Sequence, residues 1–298
     1  MRLPLMWWNT SLSPVAKRDR SENAVREAAF DLVRYFTDDL CFDLVALGEV
    51  SAADIAEVKD RCGSEFSVFD GAGRIGRTAF DTCVLYRKNR LDLLDQSEVT
   101  VLDGGSTLKV AQRLDFLLPD QQTKLHLFVS HWPSRLWCHE NHADRDRLGV
   151  WLRDAIVKVL GDDHQGHAIV LGDFNDEPFA KSMQDQLLAS RDRNLVARKK
   201  HLLYNPFWRH LGAASQHIPG QASEDLHGGS YWYPTGRTTR WHTFDQIIFS
   251  SAFVGNSAWH MDEQATRVLD IPAYTQLVKS RESQFDHMPV VTVIEKEL

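Results

Sequence analysis

The sequence predicts an α+β fold, an α/β sandwich, formed as one domain over residues 1–298. Short apolar, strand-like runs recur along the whole chain with only a few helical patterns between them. That fits packed sheets better than a string of βαβ units. No repeat, low-complexity tract or linker divides the chain. Length is neutral, because 298 residues allow one large domain or two small ones.

In chain order, residues 2–8 read as a strand ending at Asn9. "SENAVREAAFDLVRYFTDDL" sets Val25, Ala28, Ala29, Leu32, Val33, Phe36 and Leu40 on one helical face, with Ser21 as cap. "FDLVALGEV" is a short buried strand ending at Glu49, and a second helix covers residues 52–61. "FSVF" and "DTCVLYRK" are strands around the loop "DGAGRIGR". "RLDFLLP" and "KLHLFVSHWPS" form a hairpin across the turn "DQQT". "HADRDRLGVWLRDAIVKVL" is an amphipathic helix with Leu148, Trp151, Leu152, Ala155, Ile156 and Val159 inward. "HAIVLGD" is a strand and "AKSMQDQLLAS" a helix, followed by an irregular region over residues 191–240. "FDQIIFS" and the terminal "MPVVTVIEKE" complete the strands.

The composition, 43% hydrophobic and 25% charged, is that of an ordinary globular protein. A net charge of -7 argues against coating nucleic acid by bulk charge but leaves room for a local basic patch. Cys41, Cys62, Cys83 and Cys138 have no C-x-x-C spacing and read as reduced, mostly buried thiols. The opening "MRLPLMWWNTSLS" is too short for a signal peptide or a membrane span, so the expectation is a cytoplasmic protein with no membrane partner.

The polar residues cluster at strand ends. "AIVLGDFNDEP" drives an apolar strand into Asp173, Asn175, Asp176 and Glu177, a crowding that is costly unless water or a cation relieves it. Other strands deliver Asn9, Glu49 and His131, one begins at Asp245, and Asp286–His287 precede the last. If these ends share one sheet edge, oxygen ligands from Glu49, Asp173, Asn175 and Asp286 suit Mg²⁺ or Mn²⁺ rather than zinc. Two histidines near carboxylates supply general acid–base groups.

The order of Asn9, "LGEV", "SHWPS", "GDFNDEP", "FDQIIFS" and "FDHMPV" resembles the endonuclease/exonuclease/phosphatase superfamily. That is the fold of deoxyribonuclease I, abasic-site endonucleases, deadenylases, neutral sphingomyelinases and inositol polyphosphate 5-phosphatases. The resemblance spans residues 9–289. It implies a four-layered sandwich, with two mixed β-sheets packed together and flanked by helices, and the site at one rim. It also implies Glu49 as principal metal ligand, with Asn9 and Asp286 beside it. Asp173 and Asn175 would position the attacking water or a second metal, and Asn175 would bind the scissile phosphate. Asp245 would orient His287, and His131 would be the second imidazole, on the leaving oxygen or the phosphorane-like charge. One or two Mg²⁺ ions, or Mn²⁺, are implied. Asp176 and Glu177 read as outer charges rather than ligands, and Pro178 suits the first turn of the next helix. Many members carry glutamine before the metal glutamate, where this chain has Gly48.

Candidate substrate-binding residues are Arg74 and Arg77 in "GAGRIGR", and Arg198, Lys199 and Lys200 in "RDRNLVARKKH". "YWYPTGRTTRWHTFD" adds Tyr231, Trp232, Arg237, Arg240 and Trp241, where rings can stack on bases and guanidiniums grip phosphates, or where Trp232 and Trp241 are core or edge aromatics. His139 and His142 lack a Cys/His pair to complete a zinc site, so they read as a solvated loop and helix start. These loops favour nucleic acid, DNA before RNA, and His131 resembles deoxyribonuclease I where abasic-site endonucleases have tyrosine. The alternatives are a phosphatase or phosphodiesterase for a small molecule, and an RNA exonuclease of the deadenylase type. A non-catalytic binding module comes last, because both Glu49 and His287 are kept. Oligomeric state has no signature in the sequence.

Overall fold

The structure, a computed structural model, describes residues 1–14, 23–75, 78–103, 105–212, 219, 228–281 and 283–296. The apolar run at the start becomes β1 (Arg2–Asn9), and it is unbroken because both of its faces are covered. Trp7 points to the second sheet, where its Nε1 donates to Asp245. Trp8 points outward to a helical layer, meeting Phe36 and Tyr274 edge-on. After α1 (Asn23–Arg34), which runs into a π-helical turn at Tyr35–Asp39, comes β2 (Leu44–Gly48). Helix α2 (Ala52–Arg61) starts at a capping box formed by Ser51 and Asp54.

Strands β3 (Phe66–Asp70), β4 (Gly73–Ile75), β5 (Thr78–Phe80) and β6 (Thr82–Arg87) follow. Then come β7 (Asp92–Asp103), β8 (Ser106–Leu117), β9 (Lys124–His131), α3 (Ala143–Leu160) and β10 (His167–Asp173). The short elements β11 (Ala189–Ser190), α4 (Arg193–Arg198), β12 (Leu203–Tyr204), β13 (Tyr231–Trp232) and β14 (Trp241–His242) lead to β15 (Asp245–Ser250). The chain closes with β16 (Trp259–Val268), α5 (Pro272–Lys279) and β17 (Val290–Lys296).

Two mixed sheets result, ordered β16-β17-β1-β2-β6-β3 and β11-β12-β15-β10-β9-β8-β7. Their facing sides and the α1–α2 layer share one large core that includes Leu5, Trp7, Leu47, Leu127, Leu171 and Ile247. Helix α3 covers the outer face of the second sheet, with Leu148, Leu152 and Ile156 on Phe128, Ala168 and Val170. This is the expected four-layered sandwich. No helix among the described residues is long and apolar enough to cross a membrane.

Several local expectations fail for physical reasons. Trp151 is 44% exposed, because the buried stripe of α3 runs through Arg145, Leu148, Gly149 and Leu152 instead. Residues 180–190 form no α-helix: a π-helical turn at Ser182–Gln186 ends at Leu188, whose φ is 61°. Pro178 therefore opens only a turn. The loop "DGAGRIGR" contains β4, which pairs with β5 as a small ribbon. The 12-residue β7, together with β16 and α5, was not anticipated from the sequence. Ser21 lies outside the described residues, so its cap is not seen. Only Cys83 and Cys138 of the four free thiols are buried.

Candidate active site

Strand register collects the polar residues. In the first sheet β2 runs parallel to β1 with Gly48 opposite Asn9, so Glu49 emerges beside Asn9. Strand β17 runs antiparallel to β1, which brings the preceding Asp286 and His287 to the same edge. In the second sheet Asp173 stands opposite both His131 on β9 and Asp245 on β15. Both rims coincide, and a cleft of about 560 Å³ there is lined by Glu49, His131, Asp173, Asn175, Asp286 and His287.

Backbone geometry at this rim is specialised. Gly172 has φ 154°, and a Cβ there would stand 1.8 Å from the carbonyl oxygen of Ser130. Gly172→Ala is therefore expected to cost about 3 kcal/mol or more in urea unfolding, through overpacking on a rigid backbone. Glu49 and Asn175 both adopt left-handed backbone, with φ 55° and 51°. For glutamate this is an unfavourable region, of the kind that concentrates at functional sites. It is held by Ser13 N donating to the Glu49 carbonyl (2.7 Å) and by Thr10 Oγ1 donating to that of Gly48 (2.8 Å).

Two imidazoles face one carboxylate. His287 Nδ1 lies 2.8 Å from Asp245 Oδ2, and His131 Nδ1 lies 2.9 Å from Asp81 Oδ2. Their Nε2 atoms stand 3.8 Å and 3.9 Å from the same oxygen, Asp173 Oδ2. Burial alone would depress the pKa of His287, but Asp245 and Asp173 hold it well above the ordinary value. His131 is likewise raised, against burial, by Asp81. Burial would raise Asp81, yet His131 and Lys109, whose Nζ is 2.5 Å away, keep it below the usual carboxylate range. Burial raises Asp173, with His287 opposing.

Four polar contacts tie the two sheets together here: Trp7 and His287 to Asp245, Asp81 to His131, and Asn9 Nδ2 to Asp173 Oδ2 at 3.3 Å. Gly48 also finds its explanation. A Cβ at that position would lie 2.5 Å from the Trp7 indole, so the ring fills the space of any side chain at 48 and itself donates to Asp245 at 2.8 Å.

The chemistry of the donor set fits a hard divalent cation. The Glu49 carboxylate has no hydrogen bond or ion pair among the described residues, and burial pushes its pKa up to about 7, with His131 opposing and Asp286 adding. Asp286 contributes a carboxylate that accepts from Ser11 Oγ (3.0 Å), and Asn9 an amide oxygen that accepts from Ser11 N (3.3 Å). Carboxylates crowded this way favour a bound cation with oxygen ligands. Asp173, Asp245 and His287 also offer atoms within 4.8 Å of one another. Both Asp245 oxygens and His287 Nδ1 are already engaged, however, so this trio is better suited to moving a proton than to coordination.

Asp176 and Glu177 are outer supports. Asp176 faces Arg145 and Arg135, and Glu177 accepts from Thr243 N (3.0 Å) and meets His242 (2.8 Å). Asp81, Lys109, Trp7 and Ser11 were not anticipated from sequence; Tyr231, one of the rings expected to meet substrate, lies 4.7 Å from the ring of His287. Arg74 does line the cleft. Arg77 lies outside the described residues. Arg198, Lys199 and Lys200 are not brought to the rim: the Lys200 carbonyl accepts from Ser251, just past the far end of β15 from Asp245. Trp241 packs on Trp232 (5.0 Å between rings) and on the core, while Arg240 covers Trp232 and Arg237 is exposed. The Trp232 amide donates to the Asp286 carbonyl, so this ribbon borders the site. His142 caps α3, and His139 Nδ1 accepts from Asn141 N, as a solvated loop would have it.

The model of the endonuclease/exonuclease/phosphatase family matches residues 73–296. No curated protein matches the chain by sequence. Among solved structures, D. rerio TDP2 complexed with single strand DNA product superposes with a TM-score of 0.63 at 17% identity, covering 99% of each chain. The human Nocturnin catalytic domain with bound sulfate gives 0.62 at 18% identity, covering 99% of this chain and 95% of that one. The Bacteroides thetaiotaomicron mannosyl-6-phosphatase gives 0.58 at 13% identity, covering 98% and 99%. At these identities the likeness is one of fold.

Proposed function

Because the chain belongs to the endonuclease/exonuclease/phosphatase family, whose members are metal-dependent phosphoesterases, we propose that it hydrolyses phosphodiester bonds of nucleic acid, DNA ahead of RNA, with Mg²⁺ or Mn²⁺. The observation that carries the reading is the pair of carboxylate-backed imidazoles facing Asp173 in a cleft that also holds Glu49. Residues 1–298 are taken as one catalytic domain. Four free thiols fit a reducing cytoplasm.

Glu49, Asn9 and Asp286 would hold the cation. When bound, it supplies positive charge to the phosphoryl oxygens and lowers the pKa of water. Asp173 and Asn175 orient the attacking water. Their carboxylates favour the protonated form of both imidazoles, so they enter as acids and as positive charge. His131 gives its proton to the leaving oxygen. Asp173, raised by burial, is the group left to receive the proton of the water. Asp245 and Asp81 act as positioning residues, fixing tautomer and ring orientation.

A second reading, phosphate release from a small ester, draws on the distance of Arg198, Lys199 and Lys200 from the rim. It also draws on the neighbour named as a mannosyl-6-phosphatase. A deadenylase-like action on RNA is the remaining variant. The test is product analysis with Mg²⁺ or Mn²⁺ on supercoiled plasmid, linear duplex, single-stranded DNA, RNA and a phosphomonoester panel. The expected result is DNA cleavage abolished by EDTA and lowered about 10²–10⁴-fold by His287→Ala. Phosphate released from small esters, with every polymer intact, would replace this reading with the second.

A further inference from the structure

Two large apolar side chains stand in water at the mouth of the candidate site. Leu136 is 82% and Trp137 77% exposed, and both line the cleft that holds Glu49, Asp173 and His287. One exposed apolar residue carries no message, but an adjacent pair at a cleft does. Their loop is tied down. The amides of Trp137 and Cys138 both donate to the Ser134 carbonyl at 3.0 Å. Arg145, buried beneath, donates to the carbonyls of Pro133 (2.9 Å), Cys138 (2.8 Å) and Phe174 (3.2 Å). Arg135 Nε donates to the Asn175 carbonyl at 2.9 Å. The loop is thereby fixed to the strand end that carries Asp173. The exposure is not that of a loose tip, and little ordering remains to be done on binding.

We infer that Leu136 and Trp137 form a stacking shelf for an unpaired nucleobase next to the scissile phosphate, so that single-stranded segments are the preferred substrate. The inference rests on the nucleic-acid reading above. An indole face gives its contact area to a flat ring. In a closed duplex those ring faces are covered by their neighbours, so only an unpaired or splayed base can use the shelf. Arg74 lines the same cleft and supplies a cation for the backbone phosphate. Leu136 offers no hydrogen-bonding side chain, so the shelf tolerates any base.

The test compares Trp137→Ala and Trp137→Phe with the unaltered protein, which is safe for folding because the indole is exposed. Binding is read by anisotropy in a His287→Ala background, using a labelled single-stranded oligothymidylate, the same strand with one abasic site, and its duplex. Steady-state kinetics use the His287-containing proteins. Trp137→Ala is expected to weaken single-strand binding about 5- to 100-fold, the worth of one base–aromatic stack, with the kinetic loss in KM. Trp137→Phe recovers most of it, and an abasic site at the shelf produces no further loss in Trp137→Ala. Single-strand cleavage with constants unchanged by Trp137→Ala overturns the shelf alone. Equal affinity for duplex and single strand does the same. Failure of the unaltered protein to cut any nucleic acid overturns the parent reading and the shelf with it.

Discussion

Asp245→Asn is expected to lower kcat by about two to four orders of magnitude while the fold survives. Asp245 is fully buried, with Trp7 Nε1 on one oxygen and His287 Nδ1 on the other, each at 2.8 Å, and its amide donates to Ser230 Oγ at 2.9 Å. Asparagine keeps the shape and the bond from Trp7, but it then presents an amide NH₂ to His287. The ring must answer with a bare Nδ1, so it gives up that proton and is left as the neutral Nε2–H form. The largest of the negative charges opposing burial is also gone, leaving Asp173, so the imidazole becomes neutral at lower pH than before. The alkaline limb of the pH–rate profile therefore shifts toward acid, and NMR titration of His287 follows it. Trp7→Phe removes the second donor, together with part of the ring that packs on Gly48, and costs roughly tenfold. An Asp245→Asn enzyme within about threefold of the unaltered one would make the pair a structural tie between sheets.

What the sequence made legible was whatever an apolar run marks. Strands β1, β2, β9, β10, β15 and β17 are buried on both faces, so each reads as a continuous apolar run with a polar residue at its end. The register then turns those ends into a row. Asp81 carried the same mark, preceding "TCVLY" as Asp245 precedes "QIIFS". Its partner His131 is on another sheet, and nothing local announces the pairing. Trp7 looked like core and is core, yet its indole N–H also reaches the site. The basic residues 198–200 misled because closeness in sequence to Asp173 is not closeness in space. The chain passes to the other end of β15, about 17 Å away at the rise of an extended strand.

Glu49→Gln is expected to abolish productive metal binding, lower activity at least about 100-fold, and make the metal-free protein more stable at pH 8. Burial raises the folded pKa of Glu49 from 4.5 to about 7. The folded state thus binds this proton more tightly than the unfolded chain. Stability is full below about pH 4.5, falls as pH rises toward 7, and is lower by up to roughly 3 kcal/mol above that. Glu49 keeps partial contact with the cleft, so the figure is a ceiling. Glutamine has no charge to bury, and urea unfolding in EDTA should show the variant gaining on the unaltered protein between pH 5 and pH 8. Added Mn²⁺ should reverse the order, because a cation that binds only the folded state stabilises the unaltered protein and not the variant. Parallel pH curves in EDTA would mean that the Glu49 charge is already balanced within the protein. The need for a cation would then disappear, and with it the reason for a glutamate in left-handed backbone at this rim. If the curves converge at pH 5 and separate at pH 8, the instability is the mark of a site shaped for an ion.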